Sequence, residues 1–148
     1  TAPWLVFAAH AGWLADRYGT KQLLVVGFAL TLGGFLMLST ASTLPAMVLA
    51  QVIIGIGNST FHPASFPAVA AATRHSGLGM GMALHNIGGI VGAATSYSLV
   101  AILATWLGWR TALQSMVAVG TLIAVYFAFT YVEPRKLMEQ AKQEDEQR

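Results

Sequence analysis

The chain is expected to be all-α, a polytopic bundle of transmembrane helices with four complete spans and one partial span. Three observations predict this. From Gln22 to Thr73 there is not one Asp, Glu, Lys or Arg, and His75 to Trp109 and Thr111 to Val132 are equally bare. Only 9% of the residues are charged and 55% are hydrophobic, with a mean hydropathy of +0.61; a soluble domain carries about 25% charged residues. The charges that remain gather in short clusters, spaced as turns between runs long enough to cross hydrocarbon.

Residues 1–15 read as the last part of a helix, too short to span alone. The chain opens at Thr1, inside apolar sequence, with no initiator Met and no basic leader, so it is expected to be a piece of a longer protein. Residues 16–22 form a tight charged turn. The first complete span is expected from Leu23 to about Ala41, close to the roughly 20 residues a bilayer requires. Ser42 to Pro45 is a short uncharged turn, and Pro45 suits the first turn of a helix, where its missing N–H would be unpaired anyway. The second span runs from Ala46 to about Ala72. Pro63 and Pro67 remove two helical donors and free carbonyls one turn earlier, so this span is expected to kink. Thr73 to Gly77 is a turn. The third span, rich in glycine, runs from Leu78 to about Trp106, and Leu107 to Arg110 turns the chain again. The fourth runs from Thr111 to Val132, which places four helices within residues 23–132. Residues 133–148 are a polar, charge-mixed linker or tail.

The cations orient the bundle. Arg17 and Lys21, then Arg74, then Arg135, Lys136, Lys142 and Arg148 fall on one side, and only Arg110 falls on the other. Excess Lys and Arg marks the cytoplasmic side, so the first charged turn, the Arg74 turn and the tail are expected to be cytoplasmic. Trp4, Trp106, Trp109 and Tyr131 fall near the predicted interfaces, where aromatic belts sit.

Composition also excludes functions. A net charge of +2 without a basic stripe gives no footprint for nucleic acid. There is no cysteine, which removes thiol chemistry, disulfides and Cys-ligated metal. No Gly-x-Ser-x-Gly, phosphate loop or paired carboxylate offers enzyme chemistry. No complete span carries a carboxylate, and the histidine spacing supports no metal site. No cofactor is expected.

The run Gly12-x-Leu14-Ala15-Asp16-Arg17-x-Gly19-x-Lys21 resembles the signature between the second and third helices of the major facilitator superfamily. Gly108-Trp109-Arg110 is similar to the outward turn between its fifth and sixth helices. The resemblance implies that the four spans are helices three to six of a twelve-helix fold, so the chain is most of one six-helix half. Its partners would be the absent first helix, the second half and the surrounding lipid. The usual basic residue at position 20 is Thr here. A narrower resemblance, at Gly55-Ile-Gly57-Asn-Ser-Thr-Phe61-His62-Pro63 and at Asn86-Ile-Gly88-Gly89, is to fosmidomycin-resistance-type exporters. In antiporters of the superfamily the fifth helix carries a Gly-Pro, whose fitting positions here are Ser96-Tyr97.

The candidate residues fall into three groups. Gly12, Asp16, Arg17, Gly19 and Lys21 form the charged turn. By spacing alone it is either a topology anchor or a moving part; the resemblance implies a gate that latches the two halves on the cytoplasmic side. Gln51, Gly55, Asn58, His62 and Ser65 are spaced by three and four and so share one helix face. Polar groups inside a membrane face protein or water, so this stripe either lines a cavity or bonds a neighbouring helix. The resemblance implies a substrate pathway through Gln51, Asn58, His62, His85 and Asn86. An imidazole with an ordinary pKa near 6.5 can carry a proton or, charged, bind an anion; it can equally be a neutral packing group bonded to Asn58 or a carbonyl. Gly77-x3-Gly81 and Gly88-x3-Gly92, with Gly79 and Gly89 beside them, allow close helix approach, and Gly88, Gly89 and Gly92 are expected to form a packing seam.

The function that follows is secondary active transport of a small solute or drug, coupled to protons or not, across the inner membrane by alternating access. A non-transporting scaffold or sensor built from the same helices is the alternative, and a membrane-embedded enzyme using His62 and His85 the remote one.

Overall fold

The computed structural model describes residues 13–15, 17–73, 77–131 and 143. Among the described residues five bounded helices follow one another: α1 Thr20–Thr40, α2 Leu44–Ser59, α3 Phe61–Ala72, α4 Leu78–Leu107 and α5 Trp109–Thr130. Helices α2 and α3 are two parts of one apolar run, so four segments are long and apolar enough to cross a membrane.

α1, α2 and α5 start two or three residues before the expected spans, and for α1 and α5 the reason lies in how they are joined. Gly19, Gly77 and Gly108 all have positive φ, at 93°, 102° and 80°. The Gly19 N–H donates to the Ala15 carbonyl at 3.0 Å and its own carbonyl accepts from Leu23 at 3.3 Å. Gly108 does the same with Ala104 and Ala112, both at 3.1 Å. One residue thus ends a helix and starts the next, and without a Cβ it takes the required φ at little cost. The expected turn over Leu107 to Arg110 shrinks to Gly108. The charged turn likewise shrinks, with Lys21 and Gln22 already inside α1. Gly12 and Asp16 lie outside the described residues, as do Trp4, Arg74 and nearly all of the tail.

The second span breaks as its prolines require. α2 ends at Ser59, Thr60 sits at φ −80°, ψ −21°, and α3 resumes at Phe61. Pro63 cannot donate to the Ser59 carbonyl. The Thr60 N–H turns to Gly57 O at 3.2 Å, and the Thr60 hydroxyl donates to the same oxygen at 2.8 Å. Pro67 lies inside α3 without ending it.

The closest packing joins α1 to α2. A Cβ at Gly27 would meet the Thr60 hydroxyl, and one at Gly57 would meet the Thr31 hydroxyl and Gly27 O. A Cβ at Gly34 would lie 2.6 Å from Ile54. Small residues here bring the backbones together, which is how helices attract in a solvent as apolar as themselves. A small buried cluster of Ala15, Leu23, Leu24 and Ala64 closes one end.

α1 also packs on α5, with polar clasps at both ends. Arg110 Nη2 donates to Ala41 O at 2.9 Å, and Gln114 Nε2 to Ser39 Oγ at 3.4 Å. At the far end Thr20 Oγ1 and Tyr131 Oη lie 3.0 Å apart. Phe28 and Phe127 meet edge to face between them, 5.5 Å apart. α4 leans on α5 and α3, and none of its residues is buried. Isolated hydroxyls such as Ser96, Thr121 and Thr130 donate to carbonyls one turn back in their own helix, at 2.8, 2.7 and 2.8 Å. This spares the bilayer an unpaired donor.

Candidate functional site

The polar stripe divides at the break in the second span, where Ser65 turns inward. Gln51, Gly55, Asn58 and His62 are exposed at the surface of the described bundle, and Ser65 is buried. Gln51 sits in a shallow groove with Leu38 and Met47. Asn58 Oδ1 accepts from Thr31 Oγ1 at 3.3 Å. The two border a cavity of about 100 Å³ between α1 and α2, closed by Gly27, Phe28 and Phe61. Among the described residues no hydrogen bond joins Asn58 to His62. The packing partner that spacing suggested for His62 is therefore replaced by rings.

Those rings bring the two histidines together. His62 meets Phe61 at 5.5 Å and Phe66 at 5.3 Å. His85, reaching over from α4, stacks on Phe61 at 5.7 Å with an interplanar angle of 18° and meets Phe66 edge-on at 5.9 Å. Its Nε2 lies 3.3 Å from Ser65 Oγ, and the tautomer decides which of the two donates. Phe61 and His62 open α3 just after the break, so the proline-forced restart aims this cluster. Asn86 is exposed on α4 beside it; Gln51, two helical turns from Asn58 or about 10 Å, stands apart.

The other two groups fare differently. In the charged turn, Arg17 lies over the rings of Trp13 and Tyr18, at 5.2 and 5.8 Å. Thr20, where the superfamily usually has a basic residue, is buried and clasps Tyr131. A hydroxyl there has a partner that a cation would displace. Gly88, Gly89 and Gly92 are exposed, and a Cβ on any of them would meet nothing within 4 Å. Within the described residues close approaches are made by Gly27, Gly34 and Gly57 between α1 and the second span, by Gly81 against Thr73, and by Gly120 against Leu32. The spacing of Gly27, Thr31 and Gly34, four and three residues apart, was the signal for the first of these. Ser96 and Tyr97 border an apolar cleft of about 480 Å³ between α1, α4 and α5.

A family model described as Major Facilitator Superfamily matches residues 2–148. Over 94 residues the chain is 31% identical to the fosmidomycin resistance protein of Escherichia coli, covering 62% of this chain and 22% of that one. It is 28% identical over 120 residues to a putative multidrug resistance protein of Klebsiella pneumoniae, covering 81% and 26%. It is 31% identical over 130 residues to a multidrug resistance protein B homolog of Mycobacterium tuberculosis, covering 84% and 23%. The chain thus spans between 22% and 26% of the length of these three relatives. No solved structure matches it.

Proposed function

The chain belongs to the major facilitator superfamily, and from that premise we propose that it forms part of a secondary transporter that exports a small solute or drug across the inner membrane. It is a multi-pass membrane protein of a family that carries solutes. The observation that supports a pathway is the outward-facing polar stripe: Asn58 and His62 are exposed on a face whose neighbours are otherwise apolar. Polar groups are not left to hydrocarbon without cost, so this face turns toward water or toward the remaining helices.

On this reading Gln51, Asn58, His62, His85 and Asn86 line the path, and alternating access carries the solute past them. Gly12, Asp16, Arg17, Gly19 and Lys21 form the cytoplasmic gate, in which Gly19 supplies the tight turn. Gly88, Gly89 and Gly92 form the seam to the other half. Their open surroundings support this, since a seam lacking its partner presents just such a bare surface. Expression of the full-length parent gene in an efflux-deficient host tests the reading. Transport predicts raised tolerance to some drugs and lower accumulation of a fluorescent substrate in energised cells. Unchanged accumulation across a broad panel, with the protein present in the membrane, would overturn it.

A further inference from the structure

The four rings at the start of α3 and on α4 form a closed circuit in which each imidazole touches both phenyl rings. His62 and His85 therefore sit at opposite corners of one apolar frame. The frame is not sealed: Phe61 and Phe66 are 38% and 37% exposed, and His62 is exposed. A ligand reaching this surface meets two phenyl rings and two titratable nitrogen heterocycles together.

The charge around the frame has one sign. No Asp or Glu occurs anywhere between Asp16 and Glu133. Of the elements near the cluster, α1 brings Lys21 in its first turn, and α2 brings no titratable group. α3 has only His62, α4 has His85 and Tyr97, and the more distant α5 has Arg110 and Tyr126. An imidazolium in this frame finds phenyl faces, which attract a cation, but no carboxylate from any of these helices. An imidazolium here has no carboxylate beside it, and an incoming anion supplies the counter-ion.

We propose that His62 and His85, framed by Phe61 and Phe66, form a proton-dependent recognition site for a small organic anion that carries an apolar body. The acid group pairs with the protonated imidazole and the body lies on the exposed phenyl faces. The site rests on the transporter reading only for its place on a solute path.

Calorimetric titration of the purified full-length parent protein tests it, with benzenesulfonate as probe because its charge does not change with pH. Tetraphenylphosphonium serves as the cationic counterpart. Benzenesulfonate is expected to bind at about pH 6 and to lose at least about tenfold in affinity at about pH 8, as imidazole gives up its proton. The His62→Gln, His85→Gln double variant should lose the binding, and His62→Arg should keep it with a flattened pH profile. Affinity indifferent to pH and to the double variant, or a preference for tetraphenylphosphonium, would overturn the site. The two readings fail separately. A parent protein that exports a cationic dye but ignores benzenesulfonate overturns this site alone. One that binds benzenesulfonate through both histidines yet moves nothing keeps the site and overturns transport.

Discussion

Helices α1 and α4 are alike in composition and opposite in how they are held. α1 is gripped along its length: glycine against hydroxyl at Gly27–Thr60 and Gly57–Thr31, and polar clasps to α5 at Arg110–Ala41 and Thr20–Tyr131. α4 has no buried residue and touches its neighbour's side chains through His85. Both are apolar enough to span a membrane. Hydropathy therefore says that a helix crosses, and small residues and clasps say what it crosses against. The tightly held helix is scaffold; the loosely held one presents glycines and a histidine to whatever lies beyond the described residues.

That contrast can be broken by mutation, read as the thermal midpoint of the full-length protein in detergent. Gly57→Val should have the largest effect, because the new side chain enters the Thr31 hydroxyl and the Gly27 carbonyl; overpacking of this kind costs roughly 1–3 kcal/mol or more. A midpoint unchanged by Gly57→Val would mean that α1 and α2 are not in close contact. Arg110→Met removes the donor to Ala41 O, and a charged hydrogen bond at a partly exposed position is worth about 1–2 kcal/mol. Tyr131→Phe removes the hydroxyl beside Thr20, at about 1 kcal/mol. Gly33→Ala should be the mildest, within about 0.5 kcal/mol, because a Cβ there meets nothing within 4 Å. A seam packed against the other half predicts that Gly88→Ala lowers the midpoint by more than Gly33→Ala; equal midpoints for the two would remove the seam.

Much of the fold was legible because a bilayer imposes simple rules. Charge-free runs located the spans, and Pro63 with Pro67 announced the break at Thr60. Helix ends were harder, since a lone glycine such as Gly108 replaces a turn that charge and aromatic residues made look longer. The site was half legible. The three-and-four spacing suggested one face for Asn58, His62 and Ser65, of which Asn58 and His62 are exposed and Ser65 is buried against His85; His85 was visible as a polar residue in an apolar run. Nothing in the spacing showed that His62 and His85 would share Phe61 and Phe66, because that meeting depends on how α4 crosses α3. On α4, Gly81 sits against Thr73, as the Gly77-x3-Gly81 spacing allowed, while Gly88, Gly89 and Gly92 meet nothing among the described residues. Among the described residues the approach of α1 to the second span uses Gly27, Gly34 and Gly57, placed opposite hydroxyls and a branched side chain.

Thiol accessibility is the most direct probe of a water-filled path along the polar stripe. The chain has no cysteine of its own, so single cysteines at Gln51, Asn58 and His62 can be compared with ones at Leu122 and Phe129, which are 72% and 85% exposed on the apolar surface of α5. In membranes bearing the full-length protein, freed of any other cysteine, a charged maleimide should label the stripe positions readily and the α5 positions poorly. Labelling at positions 51, 58 and 62 no faster than at Phe129 would contradict a solute path on this face.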